Sequence, residues 1–370
     1  MLEIALCALH EKLWEGFGPK FASEKLQRYH DIDLSKETVR QLMLQTGAWE
    51  KGRRGWKHRK WRERRRCVGM LVQLDGSEHD WFEGRGPKCA LLIYIDDARS
   101  EILYGEFITV EDTLNLMRAT KAYLKKWGRP VALYVDKDSI YKINRPAKYE
   151  SLQLDEPMTQ FTRAMGELGT EVICADSPQA KGRVERGFDT HQDRLVKELR
   201  LRDISNMIDA NRYLWAEYIP EHNARFAVSA ASPIDAHRPL LATHKLEEVL
   251  SLRTPRVLTN DYTLRNENKF YQVLEQQPVR VKPGDKIEVE QRLDGSTHLR
   301  FKGVYLNNKQ IDKRPYRPLF EAQPSRALQY ENPRIKGVGS IPAKDHPWRR
   351  PLLEPKVAGY QATLLVPSWK

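Results

Sequence analysis

The sequence is poor in cysteine and has no long apolar run. Only four cysteines occur among the 370 residues, and they lack the paired Cys-x-x-Cys spacing that is typical of zinc sites. We expect neither a disulfide framework nor a structural zinc site, which fits a reducing cytosol. The apolar runs are far shorter than a membrane span, and no charged-then-apolar signal segment opens the sequence. This pattern predicts a cytoplasmic protein without a membrane partner.

Positive charge is abundant and is concentrated in one segment. The formal net charge is +12, and residues 51–66 hold ten Lys or Arg and one acid, which leaves only +3 for the remainder. Such a segment is typical of proteins that bind the phosphate backbone of nucleic acids. Trp56 and Trp61 interleave the charges, which favours phosphate binding over a merely solvated linker. The basic residues expected to contact DNA are Arg53, Arg54, Lys57, Arg59, Lys60, Arg62, Arg64, Arg65 and Arg66.

The first 50 residues have a helical pattern. Apolar residues recur at helical spacing from Leu2 to Leu13, and a Gly-Phe-Gly-Pro segment ends that helix. A short helix over 21–30 and a turn precede a third helix, for which Ser35 is a good N-cap. This order predicts a helix-turn-helix DNA-binding region over residues 1–50, although any small helical domain can produce the same outline.

From residue 67 the pattern changes to short strands that alternate with helices. The strands are predicted at 67–74, 88–95, 101–108, 131–135 and 171–174. Helices are predicted from a cap at Thr109 to Trp127, at 161–168, and around Glu185. Three antiparallel strands followed by this alternation predict an α/β fold, a ribonuclease-H-like core over residues 67–225 with helices on both faces of its sheet.

The remaining sequence divides into three segments. Residues 226–252 are a connector, and residues 253–320 return to short strands with regular turns, which predicts a small β-barrel. Residues 321–370 are rich in Pro and Arg with little periodicity, and we expect this tail to be disordered.

Three carboxylates stand where a metal-dependent site for phosphoryl transfer could form. Asp75 and Asp136 each follow an apolar run, and Glu185 lies in the first turns of an amphipathic helix. Acids at strand ends and on a nearby helix can converge on one cleft and hold Mg²⁺ or Mn²⁺. We expect two ions, with Asp75 bridging both and Asp136 and Glu185 each completing one.

Other acids and bases lie close to these three in sequence. Glu78, Asp80, Asp138 and Asp176 compete for the same roles, whereas Asp96 and Asp97 are best explained as turn residues. His191 is interpreted as a packed histidine. Lys181, Arg183 and Arg186 surround Glu185 and either contact DNA phosphates or form a solvated basic face, and the sequence favours neither interpretation.

The motifs around these acids resemble a known family. Residues 73–87 with 94–98, Leu133-Tyr134-Val135-Asp136, and the loop and helix over 177–186 are similar to the integrase-type core of ISNCY-group insertion-sequence transposases. The resemblance spans roughly residues 15–320. It implies a DDE recombinase in which Asp75, Asp136 and Glu185 are the catalytic triad. Such enzymes bind terminal inverted repeats, cut the strand, join it to target DNA, and act as homo-oligomers that pair the two ends.

The sequence departs from that family in two respects. Asp136 and Glu185 are 49 positions apart, longer than the compact spacing of retroviral integrases, which predicts an insertion within residues 137–157. The N-terminal region also carries less helix-turn-helix sequence than family members generally have. We expect a copy shortened in this way to bind the transposon ends poorly. Two alternatives therefore remain: a truncated or repurposed DNA-binding protein without catalysis, and a ribonuclease-H-like nuclease without strand transfer.

Overall fold

A computed structural model describes residues 2–50, 63–136, 139–141, 158–175 and 184–312. The chain forms two compact units, Met1–Arg314 and Pro315–Lys370, and every described residue lies in the first. Most of the basic linker, most of the expected insertion, the loop before Glu185, and the tail therefore lie outside the described residues.

Three helices form the N-terminal region. They are α1 (Leu2–His10), α2 (Pro19–His30) and α3 (Lys36–Gln45), with a 3-10 turn at Lys12–Trp14. The predicted cap is confirmed, because the Ser35 hydroxyl accepts a hydrogen bond from the Thr38 amide at 3.1 Å. Trp14, Phe17 and Leu26 anchor a small apolar core between these helices. The first helix ends at His10, earlier than its apolar pattern predicts, and the 3-10 turn carries Trp14 into that core.

A five-stranded mixed sheet is the centre of the molecule. Its strands are β1 (Val72–His79), β2 (Cys89–Asp96), β3 (Ile102–Ile108), β4 (Ala132–Val135) and β5 (Glu171–Cys174), in the order β3-β2-β1-β4-β5. The first three are antiparallel, whereas β4 is parallel to both β1 and β5. The predicted meander is therefore confirmed, but the predicted end of the first strand at Leu74 is wrong. β1 continues to His79 because β2 pairs with it over its whole length.

Helices cover both faces of the sheet. On one face α4 (Thr113–Trp127) and α5 (Gln160–Glu167) bury the larger core, which includes Leu74, Leu92 and Phe161. The cap of α4 is Asp112, not the predicted Thr109, since the Asp112 carboxylate accepts from the Asn115 amide at 2.7 Å. On the other face lie α6 (Val184–Leu201), α7 (Met207–Tyr213), a π-helical turn (Leu214–Tyr218) and α8 (Ile219–Phe226).

The N-terminal helices pack directly on α6 through charged side chains. Both guanidinium NH groups of Arg194 donate to the Glu24 carboxylate, at 2.8 and 3.0 Å. Lys25 forms a buried ion pair with Glu198, and both residues are only 4% exposed. The helical region is therefore fixed against the helix that carries Glu185.

The C-terminal strands form two separate sheets. After α9 (Leu246–Val249), the strands are β6 (Ser251–Val257), β7 (Thr263–Asn266), β8 (Lys269–Val273), β9 (Lys286–Arg292), β10 (Thr297–Phe301), β11 (Val304–Tyr305) and β12 (Asn308–Ile311). One sheet has the order β11-β10-β9-β6 and the other the order β12-β8-β7. Apolar side chains of both sheets share one core. The predicted β-barrel is not confirmed, because a closed barrel needs continuous strand pairing and no ladder joins the two sheets within the described residues.

Candidate active site

Asp75 and Asp136 lie on neighbouring parallel strands. β1 and β4 pair with Gln73 opposite Tyr134. Continuing that register by two residues sets Asp75 opposite Asp136, the residue that directly follows β4. Neighbouring strands lie about 4.8 Å apart. The two predicted carboxylates therefore follow the last paired residues of neighbouring parallel strands, at the same end of the sheet.

Asp75 belongs to the face of the sheet that α6 covers, and Asp136 lies at the end of the neighbouring strand. Side chains alternate along a strand, and Leu74 is buried on the opposite face, against α4 and α5. Asp75 pairs with Ile93 of β2, whose side chain lies in the core beneath α6. Asp136 directly follows Val135, the last residue of β4, where the strand pattern no longer fixes the face of the side chain. Both aspartates are partly buried, so that they lie at the margin of the core and not within it.

α6 holds the third predicted residue above this face. Glu185 belongs to the first turn of α6, and its side chain lies outside the described part of the chain. The Gln192 side chain, two helical turns later, donates to the Ser77 hydroxyl of β1 with Nε2 and Oγ 3.0 Å apart. Gly187 allows a close approach, since a Cβ there would lie 3.4 Å from Ile95. The start of α6 is therefore held close to the strands that carry the aspartates.

The predicted DNA-contacting residues are described only in part. Arg53, Arg54, Lys57, Arg59, Lys60, Arg62, Lys181 and Arg183 lie outside the described residues, as does the side chain of Arg186. Arg64, Arg65 and Arg66 are exposed and line a cleft of about 500 Å³ together with Tyr134 and Ile173. Tyr134 precedes Asp136 by two residues. This cleft therefore joins the basic segment to the edge of the candidate site.

The competing acids that are described have structural roles or lie apart. Asp96 and Asp97 are buried, and burial raises the pKa of Asp96. Asp96 accepts from the Gly69 and Arg99 amides, and Asp97 accepts from Gln73, so both fix the turn after β2, as predicted. Glu78 and Asp80 are exposed at and beyond the end of β1. Asp138 and Asp176 lie outside the described residues.

His191 is a packed histidine, as the sequence predicts. It is fully buried, and its Nδ1 lies 2.8 Å from the hydroxyl of Tyr218. Its ring contacts that of His222 in a tilted arrangement, with centroids 4.8 Å apart. Burial lowers the pKa of His191 well below its usual range and that of His222 to about 4. Both rings are therefore neutral at pH 7, and His191 is fully buried whereas His222 is partly buried.

Two side chains beside the aspartates were missed by sequence reasoning. A Cβ built on Gly76 would overlap both carboxylate oxygens of Glu111, so Glu111 packs on the β1 backbone one residue beyond Asp75. Tyr141 is 4% exposed. Burial, and then the carboxylates of Glu111, Asp136 and Asp75, raise the pKa of Tyr141. The available signal was Gly76, because a glycine within a strand often marks the close approach of another group.

Within the described residues, no group of three or more His, Cys, Asp or Glu side chains is arranged to hold a metal ion. Asp75 and Asp136 contribute two hard oxygen ligands, and the third predicted ligand has its side chain outside that part of the chain. No helix among the described residues is long and apolar enough to cross a membrane.

Two solved structures are similar to the chain at low identity. One is a simian T-cell lymphotropic virus intasome in complex with PP2A regulatory subunit B56 gamma, with 12% identity over 79% of this chain and 99% of that chain and a TM-score of 0.34. The other is the HTLV-2 integrase catalytic core domain in complex with magnesium, in its trimeric form, with 15% identity over 40% of this chain and 84% of that chain and a TM-score of 0.28. Scores this low do not establish a shared fold. No family model matches the chain.

Two proteins are similar in sequence over most of the chain. "Putative transposase y4bF" of Sinorhizobium fredii is 37% identical over 337 residues, which cover 91% of this chain and 71% of that protein. The transposase for insertion sequence IS1202 of Streptococcus pneumoniae is 30% identical over 294 residues, which cover 78% of this chain and 59% of that protein. With this identity across more than two thirds of the Sinorhizobium protein, the chain belongs to that family of transposases.

Proposed function

We propose that this chain is a DDE-type DNA transposase of the ISNCY group, which cleaves DNA at insertion-sequence ends and transfers the cut strand to target DNA. Its membership of a transposase family supports this function. The observation that supports the proposal is the parallel register of β1 and β4, which would set Asp75 opposite Asp136 if it continued by two residues. Glu185, at the start of the helix packed on the same face, completes the proposed triad.

The residues at this site fit a divalent cation. Asp75 and Asp136 supply hard carboxylate oxygens, and the buried Tyr141 hydroxyl has no hydrogen-bond partner among the described residues. Asp75, Asp136 and Glu185 would hold two Mg²⁺ or Mn²⁺ ions, with Asp75 shared between them. Bound ions of this kind supply Lewis acidity for hydrolysis and transesterification at a phosphodiester.

The fold contributes the positions of the triad. β1 is the middle strand of the sheet and is hydrogen-bonded on both sides, so Asp75 lies on a well-supported strand. The Gln192–Ser77 hydrogen bond holds α6 to the same strand. Fixed ligand positions matter because small displacements of reacting groups cost large factors in rate.

The basic residues would bind the DNA backbone on either side of this site. Arg64, Arg65 and Arg66 approach it from the cleft beside Tyr134. Lys181, Arg183 and Arg186 would contact phosphates at the start of α6, and the remaining residues of the 51–66 linker would extend the path. Residues 1–50 would act as the helix-turn-helix region that binds the terminal repeats, with the ribonuclease-H-like core over 67–225 and a connector over 226–252. A homo-oligomer would pair the two ends.

The test is metal-dependent cleavage of DNA that carries the ends flanking this reading frame. Wild-type protein should cut such duplexes with Mg²⁺ or Mn²⁺ and join the freed 3′-end to a second duplex. Asp75→Asn and Asp136→Asn should bind the same DNA and neither cut nor join it. Glu78→Gln is the matched control, because Glu78 is an exposed acid on the same strand and should retain full activity.

Each other outcome assigns a different function. Binding without cleavage by the wild type would mean a DNA-binding protein without catalysis. Cleavage without joining would mean a nuclease that shares the fold. Cleavage that survives Asp75→Asn would exclude the proposed site.

A further inference from the structure

Glu111 is the acidic residue that packs most closely on the strand of the candidate site. It lies in the segment between β3 and α4 and is partly buried. Both of its carboxylate oxygens occupy the space that a Cβ on residue 76 would need. Glycine at position 76 thus admits a carboxylate directly against the β1 backbone, next to Asp75. Gly76 alternates with Asp75 along β1, so the Glu111 carboxylate reaches the strand from the α4 side. Among the described residues β1 and β4 pair only as far as Gln73 and Tyr134, so both sides of the sheet are open to the space between the two strands at Asp75.

Tyr141 provides independent evidence that a ligand binds beside Glu111. Its side chain is 4% exposed and packs edge-on against Phe161, with ring centroids 5.5 Å apart. Its hydroxyl is buried and has no hydrogen-bond partner among the described residues. A buried hydroxyl without a partner is costly, so an oxygen that arrives with a ligand would satisfy it. The groups whose charges act on this hydroxyl include, in decreasing order, Glu111, Tyr94, Asp136 and Asp75.

We propose that Glu111 is a positioning residue of the candidate metal site which raises its affinity for divalent cations, and that the Tyr141 hydroxyl binds an oxygen that enters with the cation. This inference rests on the proposed function, since it requires Asp75 and Asp136 to hold the ion. A further negative charge near two aspartates favours a dication, because partly buried charges are screened less than exposed ones. Groups that surround the ligands of a metal commonly set its affinity.

The neighbouring acid offers a matched comparison. Asp112 follows Glu111 in sequence but has a different task, because its carboxylate accepts from the Asn115 amide at 2.7 Å and caps α4. Asp112→Asn removes one negative charge from the same segment and keeps a good N-cap residue. It therefore separates the effect of the Glu111 position from a general loss of charge.

The experiment is calorimetric titration of the full chain with MnCl₂ in the absence of DNA, together with melting temperatures without metal. Glu111→Gln should bind Mn²⁺ about tenfold more weakly than the wild type. Gly76→Ala should also weaken binding, since the new methyl group displaces the Glu111 carboxylate without removing its charge. Tyr141→Phe should weaken binding while the metal-free protein melts at the same or a higher temperature. Asp112→Asn should bind as the wild type does.

The outcomes separate this inference from the proposed function. If Asp75→Asn removes Mn²⁺ binding but Glu111→Gln and Gly76→Ala bind as tightly as the wild type, the role of Glu111 is wrong and the proposed site stands. If Tyr141→Phe changes only the melting temperature, the role of its hydroxyl is wrong. If Asp75→Asn binds Mn²⁺ as the wild type does, both the proposed site and this inference are overturned.

Discussion

The amide of Gln192 and the hydroxyl of Ser77 are joined by a hydrogen bond, with Nε2 and Oγ 3.0 Å apart. This bond ties α6 to β1 across the face of the sheet. Ser77 lies two residues beyond Asp75 and therefore on the same side of the strand. Gln192 follows Glu185 by seven residues, two turns of helix, so the two positions share a helix face. One polar contact thus links the strand of one predicted catalytic residue to the helix of another.

Gln192→Ala should therefore reduce catalysis more than stability. The loss of one hydrogen bond costs about 1 kcal/mol of unfolding free energy. The same loss frees the first turns of α6, so strand cleavage should fall several-fold while DNA affinity is unchanged. Denaturant unfolding, DNA binding and cleavage rates measure the three effects. Gln45→Ala, at an exposed position in α3, should change none of them.

The buried ion pair of Lys25 and Glu198 should dominate the docking of the N-terminal helices on α6. Lys25→Met leaves Glu198 buried, and such a loss costs about 3–5 kcal/mol for an uncompensated charge. The loss of unfolding free energy should lie at the low end of this range, because Glu198 keeps an ion pair with Arg202 at 2.6 Å. Arg28→Ala breaks only solvent-exposed pairs and should cost at most about 1 kcal/mol. Denaturant unfolding of both variants compares the two costs, and equal values would contradict the prediction.

The buried histidines predict that the fold is less stable in weak acid. Burial lowers the pKa of His222 from 6.5 to about 4, and that of His191 falls as well. The unfolded chain therefore binds more protons than the folded chain below pH 6.5, and stability decreases as pH falls. His222 alone contributes about 1.4 kcal/mol per pH unit between pH 6.5 and 4.

His222→Phe should flatten that pH dependence. The measurement is the unfolding free energy at several pH values for the wild type and the variant. A wild-type slope equal to that of His222→Phe would show that His222 is not held neutral by the fold. His10→Phe is the control, since His10 is an exposed histidine at the end of α1, outside this cluster.

Local patterns sufficed to predict most elements of the central sheet. β2, β3 and β5 are apolar runs bounded by turn residues, so their limits are encoded nearby in the sequence. The prediction for β1, residues 67–74, begins and ends five residues too early, because residues 75–79 of the observed strand are mostly polar. They are strand residues only because β2 pairs with them, and that pairing is a tertiary interaction. The arrangement of the C-terminal strands is hard to predict for a similar reason, since no local signal states which strands pair.

The candidate site shows the same limit. Asp75 and Asp136 could be chosen because each follows an apolar run, and the parallel register places both at the same end of the sheet. Nothing in the sequence identifies Glu111 as part of the site. Its position depends on the segment after β3 meeting the β1 backbone at Gly76, which is a tertiary contact. The packing of the N-terminal helices on α6 was likewise not predictable, because Lys25 and Glu198 are far apart in sequence.

Because α6 approaches β2 closely at Gly187, we expect DNA cleavage to decrease as the side chain at position 187 becomes larger. A Cβ at this position would lie 3.4 Å from Ile95, an ordinary van der Waals contact. Gly187→Ala should therefore be tolerated, and alanine favours the helix by about 1 kcal/mol. Gly187→Val adds two methyl groups against β2 and should lift the turn that holds Glu185. We expect full cleavage by the alanine variant and a loss of cleavage with retained DNA binding by the valine variant. Equal activity of both would show that α6 need not approach the sheet closely.

The three arginines that line the cleft beside Tyr134 predict a specific salt dependence. Each phosphate contact contributes about −0.9 to the slope of log affinity against log salt concentration. Replacing Arg64, Arg65 and Arg66 by alanine should therefore make the slope less steep by roughly 2–3 and weaken all DNA sequences alike. The matched control replaces three exposed basic residues of α4, on the opposite face of the sheet, by alanine: Arg118, Lys125 and Lys126. It removes the same charge, so an equal change of slope would mean that net charge, and not the cleft, governs DNA binding. A smaller change in the control, with intact metal binding in both variants, would assign the phosphate path to the cleft.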